Sequence, residues 1–150
     1  MQANPRLKDM LKPYSPKIQN LFLDLRGFVI ETVQETNELI WDNYNALAIA
    51  YSKSEQLKDA FCHLALYSKH VNFGFNRATE LQEIPIKLLG QGKLIRHLTV
   101  TDMTSFPKTD IRNMLKQAVE LSEYRNPILI GGVVAKKSII KSVSEKKRRP

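Results

Sequence analysis

The chain has 150 residues, 43% hydrophobic and 25% charged, with a formal net charge of +8, which fits one domain with one core and excludes wholesale disorder. A single cysteine, Cys62, excludes an internal disulfide framework and fits a reducing compartment. No apolar run has the length of a signal peptide or a membrane span, so the expectation is a soluble cytoplasmic protein with no membrane partner.

Pro13 and Pro16 punctuate the start, and Ser15 is placed to cap a helix opening at Pro16. From Ile18 through Leu25 and Val29 to Leu39 and Ile40, the apolar residues gather on one side at about 100° per residue. That spacing predicts a long amphipathic helix over 16–40. Gly27 lies in its interior and predicts a close approach by another element.

The period then changes. ALAIAYS (46–52), AFCHLALYS (60–68) and HVNFGF (70–75) are short, apolar and aromatic. Val71, Phe73 and Phe75 alternate with Asn72, Gly74 and Asn76, the two-residue period of a half-buried strand. Tyr67 to His70 reads as a tight hairpin. LIRHLTV (94–100) is a further strand, and Pro107-Lys108 opens a second helix that stops before Asn126-Pro127. Strands in succession with helices before and after them define an α+β domain over 1–125: a mostly antiparallel sheet packed against a long N-terminal helix and a C-terminal helix.

Residues 126–150 are different. Lys136, Lys137, Lys141, Lys146, Lys147, Arg148 and Arg149 stand against Glu145, a balance of +6, so the body carries only +2. This tail reads either as an added edge strand with a frayed terminus or as a mobile arm. Its cations are the candidate contacts to nucleic acid or another anionic partner, through counterion release. No aromatic residue follows Tyr124, which excludes base stacking by the tail.

The stretch LLGQGKLIRH (88–97) contains Gly-x-Gly-Lys. A Walker-type loop needs Gly-x4-Gly-Lys-Ser/Thr opening a helix; here Leu94 follows the lysine and a strand comes next. A turn requiring positive φ at Gly90 or Gly92 is the reading that fits.

These blocks together resemble a known family. DMLKPYSPKIQNLFLDLRGFVIET, FCHLALYSKHVNFGFNRATEL, LLGQGKLIRHLTV and DIRNMLKQAVELS follow, in order, the YdhG-like family of small domains of unknown function. The resemblance spans about 7–123, and Ala78 departs from it where members usually turn on glycine. It implies a compact α+β domain. Some relatives are described as frataxin-like iron chaperones, so it also implies a carrier without covalent chemistry and a metal-acceptor or other protein partner.

Frataxin-type binding uses a helical ridge of carboxylates, because hard cations favour oxygen ligands. On a helix over 16–40, Asp24, Glu31, Glu35, Glu38 and Asp42 form one narrow stripe away from the apolar side. The stripe is the candidate site for weakly bound iron, with Glu31, Glu35 and Glu38 its best cluster; a plain solvated face is the competing reading. No Cys-x2-Cys or His-Glu-x2-His spacing occurs, and alternation puts Cys62 and His63 on opposite strand faces. His70, Asn72, Lys93, Arg96 and His97 form a candidate anion or ligand patch, one that in an enzyme suits a phosphorylated small molecule. The leading expectation is a non-enzymatic binding or carrier domain, with the tail as an alternative route to nucleic acid.

Overall fold

The computed structural model describes residues 1–150. A short helix, α1 (Leu7–Leu11), precedes α2 (Pro16–Thr32). The Ser15 hydroxyl accepts from the Ile18 amide at 3.2 Å, and Pro16 sits where its missing N–H is no loss. α2 buries Ile18, Leu21, Phe22, Leu25, Phe28 and Val29.

The helix ends at Thr32, well short of residue 40. Thr32 and Val33 are β-branched and stiff against the preceding turn. The Val33 amide still bonds the Val29 carbonyl at 2.8 Å, while its own dihedrals, φ −123° and ψ 89°, have left the helical region. Residues 37–42 form strand β1 (Asn37–Asp42) instead. On a helix Leu39 and Ile40 share a side. In the strand they part, Ile40 joining the core beneath the helices and Leu39 facing the other way. Gly27 meets no neighbour either: a Cβ there would touch nothing within 4 Å, and nothing in the structure explains the glycine.

Five more strands follow: β2 (Leu47–Ser52), β3 (Ala60–Leu66), β4 (Val71–Phe75), β5 (Arg96–Val100) and, after helix α3 (Lys108–Arg125), β6 (Ser138–Val143). They form one six-stranded sheet in the order β5-β4-β3-β2-β1-β6. All neighbours are antiparallel except β1 and β6, which are parallel. α2 and α3 pack on one face, against β3 and β4. Ile40, Ile49, Leu64 and Phe73 reach into that layer from adjacent strands, and Phe106, ahead of α3, wedges between Phe28 and Phe73. The class is α+β. No helix is long and apolar enough to cross a membrane.

The basic tail is built into this sheet. β6 covers the outer edge of β1, and the chain end then runs back along the β1–β2 turn. The Ser144 amide donates to the Asp42 carbonyl at 2.8 Å and the Arg148 amide to the Tyr44 carbonyl at 2.9 Å. A parallel strand beside β1 satisfies backbone groups that would otherwise be an open edge.

Candidate functional site: the open face of the sheet

The helices cover only one side of the sheet. On the other, the strand positions carry Leu39 and Trp41 from β1, Ala48 and Ala50 from β2, His63 and Ala65 from β3 and Gly74 from β4, with Asn72, His97 and Thr99 toward the β5 edge; Leu39 and Ala50 are covered, at 0% and 3% exposure. No Asp, Glu, Lys or Arg stands at any outward strand position from β1 to β5. An outward sheet face in water ordinarily alternates polar residues into solvent. This one is apolar at its centre.

His63 is set into that face by the glycine beside it. The pairing runs Ala50–His63–Gly74–His97 across four strands. The imidazole lies across Gly74 so closely that a Cβ there would fall 2.2 Å from Nε2 and 2.3 Å from Cε1. Gly74 is required for space, not for backbone conformation. His63 Nδ1 is 2.9 Å from Asn76 Oδ1; with that oxygen accepting, Nδ1 carries the proton and Nε2 is bare. Burial lowers the His63 pKa, and the charge of His97 pushes the same way against the Asn76 hydrogen bond, so the ring is neutral at neutral pH. His97 is lowered too, by burial and then by His70.

Gly74→Ala is therefore expected to cost about 1–3 kcal/mol in chemical denaturation, through overpacking. The same change in a His63→Ala background should cost much less, because the clashing ring is gone. Equal costs in the two backgrounds would show that the ring and the glycine are not coupled.

Beside the histidine lies a groove of about 240 Å³, floored by Ala48, Ala50 and His63 and bounded by Trp41, Leu57 and Ile95. Leu57 and Ile95 are 53% and 47% exposed, large apolar side chains left at the rim.

The patch expected from sequence comes together only in part. Asn72 and His97 share the open face, and Asn72 Oδ1 accepts from Thr99 Oγ1 at 3.3 Å. His70 ends the β3–β4 hairpin and stacks on Tyr67, centroids 4.9 Å apart. Arg96 pairs opposite Phe75 and turns its Nη1 onto the carbonyls of Gly92 and Ile95, both at 2.6 Å. Lys93 is exposed in the preceding loop, its carbonyl accepting from Thr79 Oγ1. Alternation separates Arg96 from His97, and the guanidinium is engaged with backbone. The glycine loop is a turn: Gly90 has φ +138°, and Leu89 exchanges both backbone hydrogen bonds with His97 at 2.8 Å. Cys62 is fully buried on the helix side, where burial pushes its thiol well up.

The acidic stripe does not form. Asp24 and Glu31 remain on α2. Glu35 lies in the turn after it, 3.4 Å from Lys136. Glu38 and Asp42 are on β1 and point into the helix side of the sheet. Glu38 has 0% exposure and takes four donors: Arg26 Nε at 2.7 Å, Arg26 Nη2 at 3.2 Å, Tyr51 Oη at 2.9 Å and Ser138 Oγ at 2.7 Å. Asp42 is held by Arg149 and by Lys147 at 3.4 Å. Three or more His, Cys, Asp or Glu side chains nowhere converge as a metal site would need.

Those pairs also engage the tail. Lys136 meets Glu35, Lys137 meets Glu55 at 3.2 Å, and Lys147 and Arg149 meet Asp42. Lys141 donates to the Glu55 carbonyl. Lys146 and Arg148 alone of the seven make no ion pair or side-chain hydrogen bond within the fold.

Fold and site together define a two-layer α+β domain with one sheet face free of helices and uncharged. No family model matches the chain, nor does any curated protein or solved structure.

Proposed function

We propose that this protein is a binding domain, that its working surface is the open sheet face, and that its partner is a protein presenting a compact apolar segment to the groove beside Trp41. The observation that supports this most is the absence of charge: a chain of net +8 keeps every acidic and basic side chain off the outward positions of five strands. Depletion of charge at the centre with an aromatic anchor is the composition of an interface core. The resemblance to a family of unknown function, some of whose relatives are described as carriers, agrees with binding in place of covalent chemistry.

Iron drops out of the reading, because the carboxylates meant to hold it are dispersed and two are buried in ion pairs. Nucleic-acid binding by the tail loses support for the same reason, since four of its cations already face carboxylates.

Trp41 is the one tryptophan of the chain, so its emission reports the state of the face. Ala48 is half-buried there, and Ala48→Glu puts a charge into the groove without touching the core. Proteins retained by the wild type and lost with a folded Ala48→Glu variant are purified and added back. The expected result is a partner whose addition moves Trp41 emission to shorter wavelength and whose affinity falls at least tenfold with Ala48→Glu, about 1.4 kcal/mol. Partners that bind both forms equally, or leave the Trp41 emission unchanged, remove the reading.

A further inference from the structure

On the opposite, helical side of the sheet a cleft of about 260 Å³ opens between the last turn of α3 and the ends of β3 and β4. Its floor is apolar: Phe61 and Phe75 from the strands, Leu81 from the segment after β4, and Ala118 from α3, each less than a tenth exposed. Its rim is cationic, with Lys58, Arg77 and Arg125 around the mouth.

The walls are fixed before any ligand arrives. Asn126, the residue that ends α3, donates from Nδ2 to Asp59 Oδ1 at 3.2 Å, and Ser54 Oγ donates to Asp59 Oδ2 at 2.7 Å. Asp59 thereby ties the loop before β3 to the end of α3 while lying 8% exposed.

The three cations differ in what they have left to give. Arg77 is shared with Glu80 through its Nε. Lys58 and Arg125 have no carboxylate within 4.0 Å, and neither donates a hydrogen bond to the protein. Three features oppose an anion here: the Asp59 carboxylate, the Glu80 carboxylate, which Arg77 holds and whose field also reaches Arg125, and the partial negative charge at the carbonyl end of α3, about half a unit. Asp59 is engaged by its two donors, and the two free cations outweigh the helix end.

We infer that this cleft binds a small organic acid, a single-ring or branched apolar body on the phenylalanine floor with its anionic group at Arg125 and Lys58. The volume is that of about nine waters, room for one ring and its acid group. An apolar floor with a few convergent polar groups is the general form of a small-molecule site. The guanidinium fork suits a carboxylate or a phosphate, since both present paired oxygens. This inference is independent of the sheet-face reading, for the two sites lie on opposite sides of the sheet and share no lining residue.

Benzoate, phenylacetate, phenyl phosphate and the neutral benzyl alcohol are titrated into the full chain by calorimetry and by amide chemical shifts. Saturable binding of at least one acid is expected, with shifts centred on Ala118, Leu121, Arg125 and Asn126, and binding at least tenfold tighter than benzyl alcohol. Preference between carboxylate and phosphate then names the acid group. Arg125→Ala removes an exposed side chain and should weaken the acid about tenfold, whereas Arg148→Ala, an equal charge change in the tail, should leave affinity unchanged. Equal binding of acid and alcohol overturns the inference, as do equal effects of the two variants, shifts elsewhere, or no saturable binding of any acid.

Discussion

Glu38→Ala is expected to lower the free energy of unfolding by about 3–5 kcal/mol, read as the shift of the urea midpoint at constant slope. The magnitude comes from what the carboxylate leaves behind. Arg26, whose side chain is 14% exposed, loses both of its charged hydrogen bonds, and Tyr51 Oη and Ser138 Oγ lose their acceptor. Tyr51 is fully buried, and burial, with the Glu38 charge adding to it, holds its phenol well above the ordinary range. It remains a donor, and without Glu38 it donates to nothing. A domain of this size has about 5–15 kcal/mol in total, so the variant is expected near the limit of folding. Replacing both charges, Arg26→Met with Glu38→Leu, is expected to recover part of the loss, because the uncompensated charge is removed along with its partner while Tyr51 and Ser138 still lack their acceptor. A loss under about 1 kcal/mol for the single variant would mean that water reaches the pair.

Removal of residues 137–150 is expected to have an effect of similar size, on the order of 5 kcal/mol, and to bring aggregation. The deletion takes away all of β6 and with it Ser138, Lys147 and Arg149. Glu38 then lacks one of its donors, Asp42 lacks both cations, and the edge of β1 is open along Leu39 and Ile40, which are 0% exposed in the intact chain. An unpaired apolar edge strand is a template for association between chains. Thermal melting and sedimentation of the truncated chain check this. An arm that served only solubility or nucleic-acid contact would leave the melting temperature where it was, and that result would refute the structural role of the tail.

The two experiments address the segments where sequence pattern and structure part company. A helical stripe of acids over 24–42 and a strand at 37–42 are both compatible with the residues NELIWD, since Leu39 and Ile40 satisfy either period. The choice is made by partners remote in the chain. Glu38 faces inward because Arg26 and Ser138 converge on it, and Asp42 because Arg149 does. No local propensity encodes those meetings. The tail is the same case from the other side: its sequence allows an edge strand or a mobile arm, and pairing of β6 with β1, with Lys147 and Arg149 on Asp42 beyond it, makes it the strand.

Other parts were legible. The Ser15-Pro16 cap, the hairpin at Tyr67 to His70, the turn at Gly90 and the burial of Cys62 follow from chemistry within a few residues, and the structure has them. His63 was half legible, because alternation sets it opposite Cys62. Its fit over Gly74 was signalled only by a glycine inside a strand pattern, the mark of a close approach.

By itself, then, the order of residues determined the class: short alternating runs between two amphipathic segments pack as an α+β layer, since hydrophobic period is a local property of the chain. Tertiary structure alone decided which acids are buried, which of its two readings the basic tail takes, and where the uncharged face and the cationic cleft lie. Each of those depends on residues far apart in the chain meeting in space, Glu38 with Ser138 or Lys58 with Arg125, and that proximity is a property of the folded whole.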